Sequence, residues 1–193
     1  MKKLLIGAII ALTVSCGFTQ SPDVIAKTSD SLFRVSWDAT SEEGEPMAQR
    51  CTGFKVGIVW VVTAEHCVPP KGVNAPVFVG DHEARIVKID GDLAMLEIPQ
   101  NDEITILQVA KSNPSIGTPV MVLGYAWATS LHVFSRHVAA YEHGWLTIDG
   151  PVAPGMSGGP IIDDKGKVVG LVQAASPIIG LNCTAKELRD FIK

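Results

Sequence analysis

Apolar and polar residues alternate along this chain over short stretches, and the three-to-four residue rhythm of a helix is scarce. Leu32, Phe33, Val35 and Trp37 predict a first strand over 31–37. Residues 39–49, with Glu42, Glu43, Gly44, Glu45 and Pro46, predict a solvated loop. A hairpin follows, with one strand over 51–56, a turn near Gly57 and an apolar, β-branched strand over 58–63 that suits burial on both faces. Pro69, Pro70 and Gly72 force a loop. Strands over 73–79, 84–89 and 92–98 come next, the last two separated by Asp90-Gly91. The polar break at 99–103 reads as a link between halves. Beyond it the pattern predicts strands over 104–109, 119–125, 132–141, 145–148, 159–162 and 167–174, with a hairpin turn at 163–166. Thr184-Ala185-Lys186-Glu187 forms a capping-box pattern ahead of Leu188, Phe191 and Ile192 on one face of a short helix. Residues 18–30 are polar without a period and read as a leader into the fold. Many short strands and one terminal helix predict an all-β fold: two six-stranded antiparallel β-barrels, 31–98 and 104–193, with chemistry in the cleft between them.

Composition agrees with a packed core, since 47% of the 193 residues are hydrophobic. A net charge of −4 and the lack of any Lys/Arg block argue against a nucleic-acid partner. Met1-Lys2-Lys3 and the apolar run from Leu4 to Val14 have the form of a secretory signal over 1–17, too short to span a membrane comfortably. This predicts an exported protein. Two exits fit the residues: cleavage after Gly17, or cleavage before Cys16 with lipid added there, which is the one route to a membrane. Thr13-Val14-Ser15-Cys16 resembles a bacterial lipoprotein box but has Thr13 where leucine is usual. Export permits a disulfide, and Cys51 with Cys67 would close a loop worth about 3 kcal/mol in the chain-entropy model. Cys183 is left over and reads as a small buried apolar residue.

Candidate chemistry centres on Pro154-Gly155-Met156-Ser157-Gly158-Gly159-Pro160. Glycine there permits positive φ and close approach, so this turn is either purely structural or the seat of an exposed nucleophile. A nucleophilic serine needs a base and a carboxylate. His66, at the end of the buried strand 58–63, is either a satisfied strand-end histidine or that base. Asp92 opens the strand over 92–98 and is either a turn residue beside Asp90 or that acid. Trp127, Trp145 and the Gly124-Tyr125 turn read as barrel packing.

The segment from Cys51-Thr52-Gly53 through Val61-Val62-Thr63-Ala64-Glu65-His66-Cys67, with its cysteine spacing of 16, resembles the histidine loop of the trypsin-like, chymotrypsin-fold serine proteases. Asp92-Leu93-Ala94-Met95-Leu96 and Gly155-Met156-Ser157-Gly158-Gly159-Pro160 resemble that family's aspartate and serine motifs. The order His66, Asp92, Ser157 is also the family's, whereas an α/β-hydrolase runs serine, acid, histidine. The short loops are nearer to bacterial and viral members than to animal digestive enzymes. Two departures stand out: Glu65 replaces alanine, and Met156 replaces aspartate.

The resemblance implies a serine endopeptidase acting on protein or peptide substrates. His66 would be the base, Asp92 a buried acid steadying its ring, and Ser157 the nucleophile, with the Gly155 and Ser157 amides as oxyanion hole. It also implies a Cys51–Cys67 disulfide. Pro151 and Val152 would form one wall of the substrate pocket, and Val172, Gln173, Ala174 and Ala175 the other. No charge lies among them, which implies cleavage after small or medium apolar residues. No cofactor or metal is called for. Without aspartate at 156, no N-terminal activation switch is expected. The competing class is a protease-shaped binding or scaffold module that does not hydrolyse.

Overall fold

The computed structural model describes residues 22–41, 43–101, 103–175 and 179–193, and side chains throughout these except at 174, 175 and 179. The segment 1–17 expected to direct export, with Cys16, lies outside the described residues. Twelve strands among the described residues close two antiparallel barrels. The first contains β1 (Leu32–Thr40), β2 (Pro46–Lys55), β3 (Trp60–Ala64), β4 (Val77–Val79), β5 (His82–Asp90) and β6 (Leu93–Glu97), in the order β1-β2-β3-β6-β5-β4. The second contains β7 (Pro119–Gly124), β8 (His132–Glu142), β9 (Trp145–Asp149), β10 (Pro160–Ile162), β11 (Val168–Ala175) and β12 (Ile179–Thr184). Its order, β7-β8-β9-β12-β11-β10, repeats that of the first strand for strand. The sequence shows no such repeat, because hydrogen-bond topology constrains alternation and turns rather than residue identity.

The predicted class therefore holds, with changes at the edges. Residues 39–49 are a hairpin rather than a loop: Thr40 pairs with Pro46, and Trp37 with Gln49. Its polar, outward-facing residues hide the strands, since alternation weakens where neither face is deeply covered. The expected strand over 104–109 is instead a strap between barrels. The Leu107 amide donates to the Lys55 carbonyl, and Val109 forms only an isolated bridge to Val168. The sixth strand of the second barrel is β12, whose Gly180 and Asn182 broke the apolar pattern. Asn182 is fully buried, its side-chain amide donating to the Leu146 and Gly180 carbonyls at 2.9 Å.

The leader contains a helix, α1 (Pro22–Ser29). Eight residues are too few to show a period or to hold a helix alone, so packing stabilises it. Val24 and Ile25 pack against the first core cluster. That cluster runs from Val35, Val62 and Leu96 of the first barrel into Leu123, Ile162 and Leu171 of the second, so the barrels share apolar packing. The C-terminal helix α2 (Ala185–Ile192) adds Leu188 and Phe191 to it. Thr184 caps α2 as its sequence pattern indicates: the Glu187 amide donates to the Thr184 hydroxyl oxygen at 3.3 Å, and the Thr184 amide to the Glu187 carboxylate at 2.9 Å. Thr184→Ala should lower unfolding free energy by about 1 kcal/mol, read as a reduced urea midpoint with an unchanged slope.

Candidate active site

The buried strand β3 delivers His66. Val61, Val62 and Ala64 are fully buried, and the chain leaves the barrel in a single 3₁₀ turn, Glu65–Cys67. Cys67 ties the end of that turn back to Cys51 on β2, with an S–S length of 2.02 Å. Gln49 donates to the His66 carbonyl at 3.0 Å. The His66 ring itself is exposed, with a nitrogen within 4.8 Å of both sulfurs. The bonded sulfurs supply no thiolate, so this cluster offers a metal one imidazole and nothing more.

Asp92 precedes β6 and meets the histidine turn through the main chain. Its carbonyl accepts from the Glu65 amide at 2.9 Å and from the Gln173 side chain at 2.6 Å. Gln173, buried on β11, thus brackets the aspartate segment from the opposite barrel. The Asp92 side chain is exposed, on the rim of a cavity of about 300 Å³ that Gln173, Glu187 and Phe191 also line. This corrects the expectation of an enclosed acid. Among the described residues, no hydrogen bond joins the His66 ring to Asp92 or to Ser157.

Ser157 is half-buried on a turn fastened to the first barrel. Its carbonyl accepts from the Thr52 amide at 2.9 Å. The Thr52 hydroxyl donates to the Gly155 carbonyl at 2.8 Å and accepts from the Tyr125 amide at 2.9 Å. Gly158 has φ +81°, and a Cβ there would fall 2.1 Å from the Thr52 carbonyl oxygen and 2.2 Å from Thr63 Oγ1. Only glycine lets the turn lie this close to the strand that leads to His66. Thr52 had no distinguishing signal in the sequence beyond following Cys51.

Amides within the turn divide into spent and unspent. Met156 N–H donates to the Ala153 carbonyl and Gly158 N–H to the Val172 carbonyl. The Gly155 and Ser157 N–H groups donate to no acceptor among the described residues. Two free amides separated by one residue on a left-handed turn suit a developing anion. Met156 anchors the turn from beneath, fully buried among the second core's apolar residues. On the outer side, the Trp127 amide donates to the Pro154 carbonyl at 2.6 Å. Trp127 and Ala128 hold φ of 52° and 56° to do so, a strain of about 1–3 kcal/mol per residue that the surroundings must sustain.

Of the expected pocket residues, Pro151 is exposed, whereas Val152 and Val172 are buried in the second core. Ala174 and Ala175 belong to β11, but their side chains lie outside the described set. Cys183 is buried, and burial followed by the neighbouring Glu187 charge pushes its thiol well above the ordinary range. It is thus a poor nucleophile.

Comparison with known proteins places this geometry. Residues 51–171 match the model of the trypsin-like peptidase domain. The crystal structure of the Rv3671c protease from M. tuberculosis in its active form superposes with a TM-score of 0.73 at 28% identity, covering 88% of this chain and 82% of that one. The inactive form of the Rv3671c protease gives 0.71 at 27% identity, covering 88% and 91%. A serine endoprotease from Yersinia pestis shares the fold, with a TM-score of 0.72 at 18% identity over 88% of this chain and 64% of that one. No curated protein sequence matches.

Thr52→Val keeps the shape of the inter-barrel stitch while leaving the Tyr125 amide and the Gly155 carbonyl unpaired. It should cost about 1–3 kcal/mol of stability, measured by urea denaturation.

Proposed function

This chain belongs to the trypsin-like peptidase family, and we propose that it acts as a serine endopeptidase through His66, Asp92 and Ser157. Ser157 Oγ attacks the peptide carbonyl carbon while the His66 imidazole takes its proton. The carbonyl oxygen becomes an oxyanion held by the Gly155 and Ser157 amides. Collapse of that tetrahedral species breaks the C–N bond, and His66 returns the proton to the leaving amine. Water then attacks the acyl-enzyme by the same proton route. Asp92 acts by fixing the tautomer and orientation of the ring. The observation that carries this reading is the seating of the Ser157 turn on the histidine-bearing barrel with those two amides unspent.

The exposed His66 ring and Asp92 carboxylate set a condition. Both side chains must turn inward as substrate fills the cleft, and catalytic hydrogen bonds commonly tighten only in the substrate complex. The same exposure favours the second reading, a protease-shaped binding module whose triad never closes.

Substrate choice follows from the walls around the turn. Pro151 on one side and Gln173, Ala174 and Ala175 on the other, backed by Val152 and Val172 from the core, offer no counter-charge, so a basic side chain would be desolvated unpaired. The proposal is cleavage after small or medium apolar residues. Met156 makes the turn independent of a freed N-terminus, because its anchor is burial rather than an ion pair. Export, and a lipid at Cys16 as the route to a membrane surface, complete the proposal. No helix among the described residues is long and apolar enough to cross a membrane.

A fluorophosphonate probe should label the chain without prior clipping near its N-terminus, and should not label Ser157→Ala. His66→Ala should lower turnover by roughly 10⁴-fold or more. Labelling only after clipping would overturn the independence from a freed N-terminus, and a wild type unlabelled both before and after clipping would favour the binding-module reading. A peptide-library digest should show small or medium apolar residues before the cut, and a profile dominated by basic or acidic residues would overturn the proposed pocket.

A further inference from the structure

Residues 149–154 lead from β9 to the serine turn, and side chains from β8 grip their first three members. His137 donates its backbone amide to Asp149 Oδ1 at 2.5 Å, and its ring Nδ1 lies 2.9 Å from Asp149 Oδ2. Burial acts to raise the Asp149 carboxyl, but the His137 hydrogen bonds and the Arg136 charge outweigh it and hold the group below the ordinary range. Gly150, at φ +125°, leaves room for Arg136, whose Nε lies 3.0 Å from where a Cβ would stand. Arg136 Nη2 then donates to the Pro151 carbonyl at 2.8 Å. The guanidinium is itself oriented, since Nη1 donates to the Ser135 carbonyl at 2.8 Å and Cζ lies 5.0 Å above the Phe134 ring.

The far end of the segment hangs from the same hairpin. Trp127, between β7 and β8, holds the Pro154 carbonyl and meets the His132 ring edge-on at 5.7 Å, and His132 lies 6.2 Å from Phe134. A continuous ladder of Trp127, His132, Phe134 and Arg136 thus spans the distance between the two held carbonyls. Residues 151–153 belong to no strand. Their position comes from these two attachments, from the bond of the Met156 amide to the Ala153 carbonyl and from the burial of Val152 and Ala153.

We propose that Arg136 is a positioning residue for substrate selection, fixing the pocket wall at Pro151 by its bond to that carbonyl while the serine turn is held independently. This rests on the reading of 151–152 as the wall beside the residue preceding the cut. Thr52, Met156 and Trp127 keep Gly155 and Ser157 in place without Arg136. Loss of the guanidinium therefore loosens the wall and weakens substrate binding, leaving nucleophile and oxyanion amides aligned.

Arg136→Met keeps an unbranched side chain of similar reach and removes the donor, and Arg136→Lys restores a single cationic donor. For the best peptide in the wild-type profile, Arg136→Met should lower kcat/KM roughly tenfold, the scale of one hydrogen bond to a charged group. The loss should appear in KM, with a broadened preference before the cut, and Arg136→Lys should recover part of it. Labelling by a small fluorophosphonate should stay within about twofold of wild type, since the serine turn keeps its other attachments. An Arg136→Met enzyme with unchanged KM and profile would overturn the inference. So would a loss carried by kcat with an equal loss of labelling, because the wall and the nucleophile would then move together. A wild type that neither labels nor cleaves would sink the hydrolase reading and this inference with it.

Discussion

The contact on which this molecule depends is between Gly158 and the first barrel. Its bare Cα faces the Thr52 carbonyl and the Thr63 hydroxyl at distances no side chain could share. Around it run the Thr52 amide to the Ser157 carbonyl and the Thr52 hydroxyl to the Gly155 carbonyl. The serine turn is thereby registered against the strand that ends at His66, although the two are about ninety residues apart in the chain. Gln173 makes the reciprocal crossing, from β11 to the Asp92 carbonyl. Each barrel thus holds a main-chain group of the other's site segment, and the relative placement of the barrels becomes part of the chemistry.

Preorganisation here is a matter of which amides are already occupied. Met156 and Gly158 donate inward to Ala153 and Val172, while the Gly155 and Ser157 amides donate to no acceptor among the described residues. An oxyanion would find those donors waiting at little cost of reorganisation. The anchor beneath them is the buried Met156 side chain. A carboxylate at the same position would need a buried cation to offset its desolvation, whereas a thioether needs only apolar neighbours. The departure from the family motif at 156 therefore fits a turn assembled by folding alone.

The two barrels repeat one strand order, yet their contributions differ. The first supplies two short, largely buried strands, β3 and β6, that hold the histidine turn, and a disulfide that closes it. The second supplies loops: the strained Trp127 turn, the 149–154 segment and the serine turn itself. Loops carry the recognition surfaces while barrels fix their ends. The β8 ladder belongs to this scheme, since it holds a loop without strand pairing.

Some of this was legible in the chain alone because local patterns carry it. The apolar run into His66, the glycines around Ser157 and the Thr184–Glu187 box each state their structure within a few residues, and a two-barrel all-β fold follows from short alternation and turns. What escaped lacked a local signal. Helix α1 is too short for a period and is stabilised by Val24 and Ile25 against a distant core. The strand β12 hides behind a glycine and a buried asparagine whose side-chain N–H groups find acceptors in the Leu146 and Gly180 carbonyls. Residues 104–109 looked like a strand but divide their hydrogen bonds between two barrels. The sequence by itself determined the fold class and the candidate chemistry, and its resemblance to a known family implied the disulfide, since these rest on residue type and spacing. Tertiary structure alone decided that Thr52 and Gln173 stitch the cleft, that Arg136 grips Pro151 and that the Asp92 carboxylate faces solvent. Those outcomes depend on distances between residues that no local spacing encodes.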